Sequence, residues 1–412
     1  MKKTGLHIII LLLFTFKAIA DEGMWLPQLL KTMNEEDMQI SGLKLTAEDL
    51  YTLNGSSLKD AIVSLGGFCT GEMISSEGLL LTNHHCALDA IQEHSSTKNN
   101  YLQDGFWAMN REEELQNSGL TASFLISIED VTEQILSDLN NNMSEQLRNK
   151  KIRELSKKIV DKKIDSTHYT AQVKSFFGGN NFYLLTYETF KDVRLVGAPP
   201  SSIGKFGGDT DNWMWPRHTG DFTLFRVYSS PDGLPAEYAK ENIPYKPRHH
   251  LPIQLNGVEN GDYTMIFGYP GSTKRYLTSY GIKQALTITN PAIINIRNKK
   301  LAIMKEGMDV SKKTEIQYSS KYASTSNYWK YFIGQSKGLK SMKVEGRKAA
   351  LENEFSAWIS NDTILVKKYG EALKLIEGGY QKNKKIELNR IYLNEAIFGG
   401  AEIMYWAFRV YR

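Results

Sequence analysis

The chain has 412 residues, is 41% hydrophobic and 23% charged, and carries a formal charge of +4. That length exceeds one typical domain, and that composition is ordinary for a globular protein. A near-neutral balance gives no electrostatic footprint for nucleic acid or for an anionic membrane surface, so neither is an expected partner.

Lys2 and Lys3 precede an apolar run from Ile8 to Phe16, and Ala18-Ile19-Ala20 follows as a small-x-small site. Residues 1–20 thus read as a secretory signal peptide cut before Asp21. The run is too short to span a bilayer, and no later segment is long and apolar enough, so no stable membrane insertion is expected. Cleavage would remove Lys2, Lys3 and Lys17 and take the charge from +4 to +1. The predicted location is beyond the inner membrane, in the periplasm or cell envelope.

From Asp21 to about Leu50 the spacing of Trp25, Leu29, Leu30 and Met33 predicts a helix. Leu65 to Thr82 reads as two strands joined by a Ser75-Ser76-Glu77-Gly78 turn, and this hairpin delivers His84-His85-Cys86. The only two cysteines, Cys69 and Cys86, are 17 positions apart on what read as adjacent strands. In a secreted chain they are expected to form a disulfide worth on the order of 3 kcal/mol. A helix is predicted from about Asp89, a strand over Phe124 to Ile128, and an amphipathic helix over Ser144 to Ile164. That helix has Leu147, Ile152, Leu155, Ile159 and Val160 on one stripe.

Strands follow at Phe182 to Tyr187 and Val193 to Val196, then a Gly- and Trp-rich stretch from Ser201 to Gly220. Phe222 to Tyr228 and Gly261 to Tyr269 read as further strands. From about Ile282 to Arg412 helical periodicity dominates, as in Leu339 to Trp358, and a boundary is placed near residue 280. Residues 21–280 and 281–412 are thus the two predicted units after the signal.

The His-Cys pair at the end of a hairpin is how a trypsin-like serine peptidase places its general base. Such an enzyme needs an attacking hydroxyl, an imidazole to take its proton, and a carboxylate to orient the imidazole. His85, beside Cys86, is the candidate base, preferred over His84. Asp221, heading an alternating strand after Gly220, is the candidate orienting acid. Asp209 and Asp211 are weaker rivals because no strand follows them. No serine stands in a Gly-x-Ser-Gly context: Ser272 lacks the glycine after it and falls too soon after Asp221, and Ser336, in Gly334-Gln335-Ser336-Lys337-Gly338, lies in the helical part. The nucleophile is therefore expected beyond residue 412. His84, His85, Cys86, His218, His249 and His250 lack the spacing of a zinc site, so no metal or cofactor is expected.

Four stretches carry a closer match: Thr82 to Cys86, Gly197 to Phe222, Gly268 to Thr273, and Asn327-Tyr328-Trp329-Lys330. They resemble the bacterial dipeptidyl peptidase 7 and dipeptidyl peptidase 11 family of serine peptidases. The resemblance implies a mixed β and α fold: a chymotrypsin-like double β-barrel, incomplete in this chain, with an α-helical domain inserted. It implies His85 as base, Asp221 as its acid, and Asn212, Trp213 and Asn327 as the residues that hold a peptide's free N-terminus. The implied activity is release of dipeptides from oligopeptides with a free amine. A trypsin-like endopeptidase and a non-catalytic peptide-binding homologue are the alternatives. The oligomeric state is open, a homodimer included.

Overall fold

The computed structural model describes residues 24–140, 142–272 and 274–411; the predicted signal peptide lies outside them. The described strands are β1 (Ile62–Leu65), β2 (Cys69–Met73), β3 (Leu79–Thr82), β4 (Phe106–Trp107), β5 (Leu115–Gln116), β6 (Ala122–Asp130), β7 (Thr170–Phe176), β8 (Asn181–Phe190), β9 (Asp192–Ala198), β10 (Thr223–Ser229) and β11 (Ile243–Pro244). They form one antiparallel sheet in the order β4-β9-β10-β3-β2-β1-β6-β8-β7, with β11 on β10 and β5 on β9. The protein is therefore mixed α and β around a large antiparallel sheet.

The predicted hairpin is β2 and β3, with Met73 opposite Leu80 and Gly71 opposite Thr82. Gly78 closes the turn at φ +69°, and a Cβ there would fall 2.5 Å from the Val227 carbonyl oxygen, so only glycine fits. Alternation sets the core: Leu80 of β3 faces Phe225 of β10 across the ladder, and both are fully buried. Val63, Leu65, Val193, Leu195 and Val227 join them. Phe124 and Phe190 meet edge to face at 5.8 Å.

Register between β9 and β10 is pinned by charge. Arg194 and Arg226 lie directly opposite each other, which like charges disfavour. Each is neutralised: Arg194 makes a two-pronged pair with Asp192 (2.9 and 2.6 Å), and Arg226 bonds to Glu114 at 2.9 Å. The Tyr228 hydroxyl donates to the same Glu114 at 2.7 Å. A slip by one residue would strand these buried groups.

Two helices of the first part of the chain pack onto this sheet. Helix α1 (His84–Glu93) leaves β3 and packs Ala87, Leu88 and Ile91 into the sheet core. Helix α2 (Glu145–Ile164) starts at its Ser144 cap and lays Ile152, Leu155, Ile159 and Val160 on a satellite cluster with Val131, Ile135, Phe182 and Leu184. Leu147, expected on that stripe, is exposed at the first turn.

Several expectations are corrected. The N-terminal region is not one helix: it breaks into Leu30–Met33, Glu35–Ile40 and Ala47–Leu50. Asn34 and Gly42 interrupt it, and Met33 is exposed. The expected incomplete double barrel is a separate matter: among the described residues the single sheet stays open between its ends β4 and β7. Gly261 to Tyr269 is not a strand: no described segment pairs with it, Ile266 is fully exposed, and the Tyr269 N–H bonds to the Thr70 hydroxyl at 2.8 Å. The expected helix Leu339 to Trp358 is two helices, ending at Ser341 and restarting at Val344, because Lys343 has φ +50°. From Ser279 onward every described element is helical.

Leu80→Ala should lower unfolding stability by about 2–5 kcal/mol, since a fully buried leucine leaves a cavity. Chemical denaturation checks this, and a change within about 0.5 kcal/mol, the size of a surface substitution, would contradict a packed core around Leu80.

Candidate active site

The base arrives on a strand-to-helix junction. Thr82 ends β3 opposite Thr223 of β10, and its hydroxyl donates to the Thr70 carbonyl at 2.7 Å. Asn83 is the N-cap of α1, which begins at His84, five residues before the predicted start. Cys86 therefore lies on the helix and not on a strand. The Cys69–Cys86 disulfide, with Cα atoms 6.1 Å apart, ties the first residue of β2 to the first turn of α1.

Asn83 does not cap its own helix. Its Nδ2 reaches Asp221 instead, donating to the carbonyl oxygen at 3.2 Å and to Oδ2 at 3.3 Å. Asp221 does the capping: Oδ1 accepts the His85 backbone N–H at 3.0 Å. That N–H is one of the first-turn donors with no partner inside the helix. Oδ2 bonds to His85 Nδ1 at 2.8 Å. One carboxylate thus holds both the backbone and the ring of the base. The imidazole is 69% exposed, so its far edge is open to an incoming group.

Burial pushes the Asp221 carboxyl up, but the ring and backbone hydrogen bonds of His85 and its nearby charge outweigh this. The carboxyl is held below the usual carboxylate range.

His84 points the other way. It is buried, neither ring nitrogen has a protein partner among the described residues, and burial holds its basicity below the usual imidazole value. A Cβ at Gly204 would fall 2.6 Å from its ring, so glycine is required there. Gly204 closes α3 (Ser201–Gly204), and a second short helix, α4 (Gly208–Asp211), follows.

Helices α5 (Asn290–Val310) and α6 (Lys312–Ser341) bring the third part. Asn212 Nδ2 donates to Asn327 Oδ1 at 2.9 Å. Trp213 Nε1 donates to the same Oδ1 at 3.0 Å and to the Asn327 carbonyl at 3.1 Å. Trp213 has φ +63°, unusual for a bulky residue, and stacks on Tyr331 with ring centres 5.7 Å apart. The three residues singled out in the sequence, 115 positions apart at the extremes, form one cluster. Helix α6 also meets α1: the Ser320 N–H donates to Gln92 Oε1 at 2.8 Å, and its hydroxyl to Asp89.

The rivals are placed elsewhere. Asp209 pairs with Lys205 at 3.2 Å, and the Ser336 hydroxyl accepts from Asn290 Nδ2 at 3.0 Å among the helices. Ligand atoms of Cys69, His85 and Cys86 lie within 4.8 Å of one another, but the two sulfurs are bonded to each other. Asn83 is the residue the sequence reading missed. An asparagine directly before a helix is the available signal, though it predicts a cap and not a bond to Asp221.

An aspartate that fixes the Nδ1 edge of a histidine at a strand-to-helix junction defines a candidate base of the serine-peptidase class. The chain belongs to the family described as Peptidase S46, whose family model matches residues 20–412. It is 45% identical over 408 residues to an Asp/Glu-specific dipeptidyl-peptidase of Flavobacterium psychrophilum, covering 98% of this chain and 56% of that protein. It is 45% identical over 404 residues to dipeptidyl-peptidase 7 of Porphyromonas endodontalis, covering 98% and 49%. The crystal structure of Porphyromonas endodontalis DPP11 in complex with the dipeptide Arg-Glu superposes with a TM-score of 0.85 at 39% identity, covering 92% of this chain and 55% of that one. The chain spans about half the length of the curated relatives it matches.

Asp221→Asn tests the linkage. A carboxyl with a depressed folded pKa contributes stability above its unfolded value near 3.9, and that contribution fades as pH falls through the folded value. The stability gap between wild type and Asp221→Asn should be full at pH 7 and smaller at pH 3, below the unfolded value. Denaturation at both values decides, and an equal gap at both would contradict the charge-assisted pairing.

Proposed function

We propose that the chain is the N-terminal portion of a secreted serine exopeptidase that releases dipeptides from the free N-terminus of oligopeptides. The observation that carries this is the double hold of Asp221 on His85, through ring and backbone. Asp221 keeps the proton on Nδ1, which leaves Nε2 as the acceptor for a serine hydroxyl proton. After transfer the carboxylate stabilises the imidazolium, and Nε2 returns the proton to the leaving amine. The serine comes from a segment past residue 412, in keeping with the greater length of the relatives. That segment would also complete the double barrel. We read residues 21–280 as the peptidase part and 281–412 as the start of the helical domain. Residues 1–20 direct export to the periplasm or cell envelope, where the Cys69–Cys86 bond is favoured.

The substrate's ammonium would dock at Asn212, Trp213 and Asn327. An ammonium needs oxygen acceptors, and among the described residues Asn212 Oδ1 is held only by a 3.4 Å contact from Arg217. The exposed Trp213 face adds a cation–π attraction of about 1 kcal/mol. Fixing the amine a set distance from the base makes the enzyme count two residues, which an endopeptidase has no need to do. The DPP11 structure was solved with a dipeptide, which fits this reading.

In the whole protein, His85→Ala should abolish dipeptide release. Asp221→Asn should lower kcat by about 10⁴, the loss known for the trypsin-type aspartate. Undiminished release by His85→Ala would exclude the assignment. Acetylating the substrate amine should stop cleavage; equal rates on acetylated and free peptides would favour the endopeptidase reading.

A further inference from the structure

We propose that Lys330 is a positioning residue that locks the segment 210–213 in the conformation that receives the substrate's amine; this rests on the amine-site reading of Asn212, Trp213 and Asn327. Asn327, Lys330 and Tyr331 are spaced i, i+3 and i+4 on α6, so they share one face. All three grip the same short segment. Asn327 takes the side chains of Asn212 and Trp213, and Tyr331 stacks on the Trp213 ring. Lys330 takes the backbone: its Nζ donates to the Thr210 carbonyl at 2.5 Å and to the Asn212 carbonyl at 3.1 Å.

Two features make that backbone hold necessary. Helix α4 is a single turn, so the carbonyls at and just past its end have no partner along the helix. An ammonium is the natural complement to the negative end of such a turn. Trp213 then sits at φ +63°, a state a bulky side chain keeps only when its surroundings over-determine it. No strand pairing supports residues 201–222. The loop's own nearby bonds include the Met214 N–H to the Asp211 carbonyl at 3.0 Å, the Asp211 N–H to the Gly207 carbonyl at 3.2 Å, and a long 3.4 Å contact from Arg217 to Asn212 Oδ1. Lys330 has no carboxylate partner among the described residues, so its charge is committed to the two carbonyls. Asn327 alone could hold the side chains of Asn212 and Trp213 in several backbone states. Lys330 selects one.

The test uses the whole protein carrying His85→Ala so that neither probe is turned over, wild type or varied at position 330, and two probes, tetraalanine amide and its N-acetyl form, with binding measured by calorimetry. Wild type should prefer the free amine. Lys330→Met should lose roughly tenfold of that preference, the effect of one charge-assisted contact. Lys330→Arg keeps the charge and donors and should retain most of the preference. With 5-fluorotryptophan incorporated, the Trp213 resonance, assigned by its loss in Trp213→Phe, should shift in Lys330→Met and return in Lys330→Arg. Unchanged preference or tighter binding in Lys330→Met overturns the proposal alone, as does an unmoved Trp213 resonance. A wild-type chain that binds both probes equally overturns the amine-site reading and this proposal with it.

Discussion

One carboxylate joins the sheet to the helix that carries His85, the candidate base. Asp221 stands two residues before β10 and accepts from the ring and the backbone of His85, while Asn83 adds a third donor. The carboxylate does locally what a cap residue does at a helix start, and it orients an imidazole in the same act. The charge is stabilised by donors that belong to a single turn, so the geometry of base and acid cannot drift apart without unwinding that turn.

Most of the surrounding structure serves this junction. The β3–β10 ladder sets Thr82 opposite Thr223 and thereby brings Asn83 to Asp221. The opposed arginines Arg194 and Arg226, each tied to its own acid, fix the register of β10 against β9. The disulfide holds the first turn of α1 from the other side. Ile91 and Ala87 bury the inner face of α1, so the helix is a core element before it is a site element. Its far end meets Ser320 of α6, which connects the base mechanically to the helix bearing Asn327.

The costs sit close to the site. His84 keeps its two ring nitrogens in the interior without a protein partner among the described residues. Trp213 occupies a left-handed backbone state. Both belong to the glycine-rich stretch that runs from α3 to β10 or pack against it: Trp213 lies within it, and Gly204 is the point where it touches His84. Departures from local preference that cluster in one stretch mark where packing has overruled sequence propensity.

Much of this was legible in the sequence because it is local. Turn chemistry at Ser75 to Gly78, alternation in β10, the helical stripe of α2 and the 17-residue cysteine spacing each need only a short window. His85 and Asp221 could be named as a pair because the hairpin and the strand head were both readable, whereas Asn212, Trp213 and Asn327 were named only through the family resemblance. Their meeting could not be read: α6 supplies Asn327 from more than a hundred residues away, and only the packing of α6 against α1 and α4 brings it there. The same limit explains the misreadings. Gly261 to Tyr269 has the pattern of a strand, but a strand exists only where a partner ladder satisfies its backbone, and that is decided by the rest of the chain. The start of α1 at His84 depended on a cap donated by Asp221, 136 positions further on. Each segment's own residues determine what it prefers; tertiary structure decides which of those preferences find their hydrogen-bond partners.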